Sequence, residues 1–378
     1  MTFDVIVIGV GSMGSSTCWH LAKRGIKVLG LEQGALPNPM ASFTGATRAI
    51  RLSYTEHSDY VPLLRGAYRF WDELGEATGF EYLKRTGAIY LGPPEGYLVG
   101  GARKSAEDHR LKHTIYSPDE LRNHWPQFKV PDGFSGLHEE EAGYLLSDQA
   151  VAALTEQALQ LGAELRGHEQ VTEWHQEGKS VVVRTSHGIY RASHLVFSAG
   201  AWTGKLLDKL KVKLKVTRQV LGWVWPEKPG LFTADRFPVW VADAGQGAVY
   251  YGFPITPDGS GGVGLKAALH FPAKETHPDT VEREPMPGDE EEVHKGFQQF
   301  IPQGDGPLLS QRVCLYTNTP DGHFIVDRLP ECDRATIACG FSGHGFKFAS
   351  VMGAVLADLA TEGKTDWPID FLRLSRFA

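Results

Sequence analysis

Cysteine is scarce: the 378 residues contain four (Cys18, Cys314, Cys332 and Cys339), and no two of them form a C-x-x-C pair. That pattern excludes a disulfide scaffold and a thiolate zinc site, no metal is expected, and a reduced, cytoplasmic setting fits best. Long apolar runs are missing as well. None approaches the roughly 18–20 residues of a membrane span, so no membrane role is expected. Positive charge is not in excess, since the net formal charge is -7. Nucleic acid and anionic membrane surfaces are therefore poor partners. There is no low-complexity segment and no internal repeat. The first strand begins at Phe3, so no signal peptide is expected ahead of the fold. What remains, 42% hydrophobic and 22% charged residues, is ordinary for a globular enzyme of one large or two medium domains.

The opening stretch FDVIVIGVGSMGSSTCWHLAKRGIKVLGLE carries the strongest local signal. Residues 4–8 are apolar and β-branched, as expected of a strand buried on both faces. Gly9, Gly11 and Gly14 then form G-x-G-x-x-G. Gly9 permits a tight turn, Gly11 leaves room for a pyrophosphate against the backbone, and Gly14 lets the next helix pack on the strand. That helix, expected over 12–24 with Gly25 as its cap, points free N–H groups and its positive dipole end at the phosphates. Ser12 and Met13 open it. A second strand over 26–31 ends in Glu32, whose carboxylate can accept from a ribose diol. The plainer reading is a tight strand–helix turn with no ligand. The motif alone does not choose between NAD and FAD.

Further along, residues 38–47 read as a polar loop. A helix is expected from a Ser58 or Asp59 cap to about Leu74, with Leu64, Tyr68, Trp71 and Leu74 on one face. Residues 83–91 are expected to form one strand, with short helices over 102–109 and 118–124. Ser147 or Asp148 opens an amphipathic helix that Gly162 ends. A hairpin is expected around 177–178, a buried strand over 194–198 and a short helix over 203–210. The segment 213–251 is β-rich and 261–270 continues it. The acidic stretch 282–292 reads as a solvated loop leading into a helix that ends near 298–301. Strands are expected at 312–319, 323–327 and 335–340. GFSGHGFK (340–347) follows, and then a helix over 348–361. The chain thus ends as it began, with strand, Gly-rich turn and helix. If both turns pack on one sheet, the second helix faces an electron-rich group, and a flavin's N1/C2=O edge supplies one.

GVGSMG, TRAIR, YYGFP, GLKAALH, VCLYTNTPDGHFIVD and GFSGHGFKFASV together resemble the monomeric sarcosine oxidase and N-methyltryptophan oxidase family, from residue 3 to the C-terminus. The resemblance implies an α/β fold with a discontinuous Rossmann-like FAD domain (1–85, 145–215 and 308–378). It also implies an α+β substrate domain on a mostly antiparallel sheet (86–144 and 216–307). The implied activity is oxidation of a secondary amino acid such as sarcosine to an imine. Hydrolysis of that imine gives glycine and formaldehyde, and O2 becomes H2O2. Cys314 matches the cysteine that bears FAD covalently. Arg51 and Lys347 match a carboxylate-binding pair, a task suited to a planar guanidinium beside an ammonium. Tyr251 and His270 match residues that shape the pocket and contact the amine. Lys266 matches the lysine that helps electrons reach O2, and Arg48 a cation on the other flavin face. Cofactor contacts are expected from Gly9, Gly11, Ser12, Met13, Gly14, Glu32, Thr47, Arg48, Val171, Cys314, Gly343, His344, Gly345 and Lys347. A monomer is expected.

Two stretches depart from the family. Ser42-Phe43-Thr44-Gly45-Ala46 lacks the histidine and the acid that usually precede Thr-Arg, so flavin-face hydrogen bonding is expected to differ. The run 239–243 is also unlike the family's, which leaves pocket size open. Four readings follow from these residues. One is a sarcosine-type oxidase. The second keeps the chemistry but acts on N-methyltryptophan, pipecolate, proline or a fructosyl amino acid. The third is a flavin-binding subunit with no oxidase activity of its own, against which Lys266, Cys314 and Lys347 speak. The fourth is an NAD dehydrogenase.

Overall fold

The computed structural model describes residues 2–207, 210–256 and 258–378. The apolar run at the N-terminus becomes the strand Thr2–Ile8, flanked in parallel by Val28–Leu31 and Ile189–Phe197. Ile6 and Val7 are fully buried, so the run is apolar because both faces of its strand are covered. Glu164–Arg166 extends the parallel core beyond Val28–Leu31, and Cys332–Cys339 extends it beyond Ile189–Phe197. Ile325–Leu329 and the hairpin Val171–Glu177/Ser180–Thr185 add antiparallel edges to this eight-stranded sheet. The helices Ser147–Gln160 and Ala349–Glu362 both pack against Ser12–Lys23 beside it. Gly353 makes the close approach possible. A Cβ there would lie 2.1 Å from Ser16 Oγ on the first helix.

The second sheet has nine strands. Its order is Lys274–Glu275, Lys215–Val224, Leu265–Phe271, Ala248–Phe253, Val239–Gly245, Ala88–Gly92, Ser135–Glu139 and Thr114–Tyr116, with Leu308–Asn318 also on Lys215–Val224. All its pairings are antiparallel except Val239–Gly245 with Ala88–Gly92. A third, small sheet joins Thr47–Ile50, Gly143–Leu146 and Leu83–Arg85.

Several boundaries differ from those read in the sequence. The strand expected at 312–319, in the segment 308–378 assigned to the FAD-binding domain, runs from Leu308 to Asn318. It lies in the second sheet, bonded along its length to Lys215–Val224. The expected strand over 83–91 is two strands in different sheets. Gly87 breaks it in the left-handed region at φ +73, where its N–H donates to the Ala142 carbonyl. The third helix starts at Tyr97 rather than 102, behind a Gly96 cap. The strands Ser135–Glu139 and Gly143–Leu146 had no reading in the sequence, because Gly and the acidic run 139–141 hide their alternation. Thr203–Leu206 is helical, and the rest of the helix expected over 203–210 includes positions 208 and 209, outside the described residues. Among the described residues, no helix is long and apolar enough to cross a membrane.

Candidate active site

Four parallel strands of the first sheet end at one cleft of about 400 Å³. Gly9, Glu32, Ser198 and Gly340, the residues that follow those strand ends, all line it, as expected of a ligand crevice in an open α/β sheet. The three motif glycines have three separate reasons to be glycine. Gly9 has φ +91, and a Cβ there would sit 2.6 Å from the Ser198 carbonyl oxygen. Gly14 faces away from the cleft, and its Cβ would lie 1.9 Å from the Gly9 carbonyl oxygen. Gly11 lines the cleft with nothing within 4 Å of its missing Cβ, which is a cradle that any side chain would fill. No side chain caps the helix that Gly11 opens, so its first N–H groups remain available to phosphate oxygens. These features fit the pyrophosphate of a dinucleotide. Ser12, Met13 and Val171 line the same cleft. Glu32 does too, with both oxygens already accepting: Oε2 from Val10 N at 3.0 Å, Oε1 from Gly34 N at 3.0 Å and Asn38 Nδ2 at 2.9 Å. Glu32 therefore fastens the turn and the loop behind it.

The C-terminal Gly-rich turn closes the other end of the cleft. Ser342 and Gly343 have positive φ, and a Cβ on Gly343 would lie 2.4 Å from the Tyr316 ring. Gly343, Phe346, Tyr316 and Arg48 line both this cleft and a second cavity of about 80 Å³, so the two spaces are contiguous. Gly345 faces the first space only, while His344 and Lys347 face the second.

The second cavity gathers Arg51, Glu56, Tyr251, His270 and Lys347 from distant parts of the chain. Arg51 and Lys347 both sit over the Tyr54 ring, with Arg51 Cζ 4.9 Å and Lys347 Nζ 5.3 Å from its centroid. Arg51 Nη2 donates to both Glu56 oxygens at 3.1 Å. Its Nε is buried and finds no acceptor among the described residues. Among the described residues, Lys347 Nζ donates to the His344 carbonyl alone, at 2.7 Å. Burial, then Arg51, hold its pKa well below the usual lysine range. A carboxylate entering here would supply the acceptor that Arg51 Nε lacks and would add to the counter-charge that Glu56 gives Lys347. Burial works against ionisation of Glu56, but Arg51, His344 and Lys347 outweigh it and hold its pKa at about 2.

That shift has a sign. A folded pKa of about 2 lies below the ordinary 4.5. The pair therefore stabilises the fold fully above 4.5, and its contribution is lost as pH falls towards 2. The melting temperature of the parent protein should fall more steeply across that window than that of Glu56→Gln. Parallel curves would assign the acid sensitivity to other groups.

In the same cavity, Tyr316 Oη is 3.1 Å from His270 Nδ1 and 3.4 Å from Tyr251 Oη. Burial, ahead of every charge around it, lowers the His270 pKa to about 3, so its imidazole is neutral near pH 7. Burial raises Tyr251 to about 12. Tyr316, Glu56 and Tyr54 were not singled out from the sequence. The one signal for Tyr316 is its place two residues from Cys314 on a strand, which puts both side chains on one face.

Thr47, Lys266 and Cys314 line neither cavity. Lys266 is 1% exposed and donates to the Gly45 carbonyl (2.7 Å), the Thr47 carbonyl (2.9 Å) and Thr47 Oγ1 (3.0 Å). With no carboxylate among those partners, its pKa lies well below the lysine range, chiefly from burial. Arg48 donates to the carbonyls of Ser42, Thr44 and Thr47 at 2.9, 2.5 and 2.8 Å. The loop that lacks a histidine and an acid thus holds two cations on backbone oxygens. An acid reaches it from another element, since Asp148 Oδ2 accepts from Ala46 N at 3.1 Å. Cys314 is buried among Leu221, Trp223, Ala268 and Tyr316. Burial raises its thiol pKa, and Arg48, Lys266 and Arg283 pull it back down. Among the described residues, no group of three or more His, Cys, Asp or Glu is arranged to hold a metal ion.

Residues 4–359 match the family model described as FAD dependent oxidoreductase. Over its full length the chain is 37% identical to "Monomeric sarcosine oxidase" of Bacillus sp. (strain NS-129), covering 97% of that protein. It is 33% identical to "N-methyl-L-tryptophan oxidase" of Salmonella enteritidis PT4, covering all of both chains. Among solved structures, L-proline dehydrogenase from P.horikoshii superposes with a TM-score of 0.86 at 23% identity, covering 100% of this chain and 98% of that one. That last likeness speaks to the fold.

Proposed function

The chain belongs to the FAD-dependent oxidoreductases, and from that premise we propose that it oxidises a secondary amino acid such as sarcosine, using O2. The observation that carries the proposal is the buried Nε of Arg51, without an acceptor beside a buried Lys347, in a cavity contiguous with the dinucleotide cleft. Bound FAD supplies a two-electron acceptor. The chain's own groups do the rest. Arg51 and Lys347 fix the substrate carboxylate, and so place the amine and its methyl group between Tyr251, Tyr316, His270 and the Gly343 turn. His270 is neutral, and among the described residues no carboxylate other than Glu56 lines this cavity, so the site favours the free amine over its ammonium form. The amine gives up two electrons and two protons to become an imine, the equivalents that O2 takes up to become H2O2, and water cleaves the imine to glycine and formaldehyde when the substrate is sarcosine. Arg48 places a fixed positive charge at the cleft, and Lys266, in its protonated form, adds a second behind it, where they favour electron transfer to O2 and formation of H2O2.

The sheets divide this work. The first binds the dinucleotide, and the second, including Leu308–Asn318, forms the substrate side. Cys314, on that strand, carries the flavin covalently, and the protein works as a cytoplasmic monomer. An H2O2-coupled screen over sarcosine, N-methyl amino acids, L-proline, pipecolate and fructosyl amino acids tests the activity. Absence of peroxide with every amine would overturn it. Acid precipitation tests the linkage. A yellow pellet is expected, with colour moving to the supernatant in Cys314→Ala. A colourless wild-type pellet would remove Cys314 from that role.

A further inference from the structure

Resting on that reading, we propose that the substrate's α-carbon bears an apolar side chain, and that Leu98, Val241 and Val249 receive it. Arg51 and Lys347 account for the carboxylate, and Tyr251, His270 and Tyr316 for the amine. Of the wall left over, one stretch is apolar, beside Thr55, whose hydroxyl is already committed to the Leu98 carbonyl. Leu98 comes from the helix Tyr97–Asp108, Val241 from the strand Val239–Gly245 and Val249 from the strand Ala248–Phe253. The three belong to one apolar cluster with Tyr90, against which Tyr251 packs. Val241 lies directly opposite Tyr251 in the antiparallel register, so wall and amine site share one face of the second sheet.

The charged side chains of this cavity are Arg48, Arg51, Glu56 and Lys347, and the apolar cluster contributes none of them. Leu98, Val241 and Val249 are 3%, 9% and 8% exposed, so a substituent placed against them leaves water behind. A polar substituent would lose its hydration there and gain no partner from these three side chains. An aliphatic one gains roughly fourfold in binding for each methylene buried. Sarcosine, with no side chain, leaves the wall unused.

The test compares kcat/KM of the holoenzyme for sarcosine, N-methyl-L-leucine and N-methyl-L-asparagine, the last two nearly equal in size. The leucine derivative should exceed both others at least tenfold, mainly through KM. Val241→Thr keeps the shape and adds a hydroxyl, and it should cut the leucine-to-sarcosine ratio at least fivefold. Equal values for the leucine and asparagine derivatives, or sarcosine as the best substrate, would overturn the proposal while leaving the oxidase reading standing. A second arm needs no turnover. Binding of 4-methylpentanoate and of acetate is read from the flavin absorbance of the holoenzyme. The branched acid should bind at least tenfold tighter, and equal affinities would sink the proposal even for a protein that oxidises amines.

Discussion

Arg51→Met is expected to lower kcat/KM for an amino-acid substrate by about 10²–10³-fold, nearly all of it through KM. Two charge-assisted hydrogen bonds to a carboxylate contribute about 1.5–3 kcal/mol each, and each 1.4 kcal/mol is roughly a factor of ten in affinity. The geometry puts the expectation on Arg51 because its Nε already lacks an acceptor and its Nη2 is held only by Glu56. The substitution has a second consequence. It leaves the largely buried Glu56 without its main partner, and breaking such a pair from one side costs up to about 3–5 kcal/mol. Stability and affinity must therefore be separated. Adding Glu56→Gln to Arg51→Met should restore much of the melting temperature and none of the affinity. Arg51→Lys, which keeps the charge and loses the fork, should fall between the parent and Arg51→Met. Substrate KM unchanged in Arg51→Met would remove the carboxylate clamp from the proposed function.

The clamp also shows where reading the sequence stops. Arg51 and Lys347 are nearly three hundred positions apart, and only folding puts both over Tyr54. Their match to a known family motif brought them forward. Glu56 stayed hidden because TEHSD reads as polar residues ahead of a helix cap, although the carboxylate is turned inwards onto Arg51. Tyr316 was overshadowed by Cys314, its neighbour on the same face. The fold was legible where apolar pattern and punctuation agreed, as in Thr2–Ile8 and the helix after it. It was not legible for Leu308–Asn318. An apolar strand looks the same whichever sheet it joins, and the partner that decides, Lys215–Val224, lies some ninety residues back. Gly87 inside the segment 83–91 is a usable break signal, since an isolated glycine within a strand marks a bend or close approach.

The opening turn yields the other large effect, because its glycines are predicted to fail in different ways. Gly14→Ala should abolish the folded, yellow protein. Its Cβ would lie 1.9 Å from the Gly9 carbonyl oxygen and 2.8 Å from Ser198 Oγ. Backbone cannot step aside there, because Gly9 N donates to the Leu31 carbonyl and Ser198 N to the Ile8 carbonyl. The helix Ser12–Lys23 would have to lift off the central strand, and a core displacement of that kind exceeds about 4 kcal/mol. Gly11→Ala meets nothing within 4 Å. It should fold with an apoprotein melting temperature only a few degrees below the parent's, because the extended backbone there accepts alanine and the poorer N-cap costs about 1 kcal/mol. Yet it should bind FAD at least tenfold more weakly, since that methyl group takes the space a pyrophosphate needs. Soluble expression, apoprotein melting and flavin titration separate the two. If Gly11→Ala bound FAD like the parent while remaining folded, the pyrophosphate would have to lie elsewhere in the cleft. If Gly14→Ala folded normally, the close packing of helix on strand would not be what the third glycine serves.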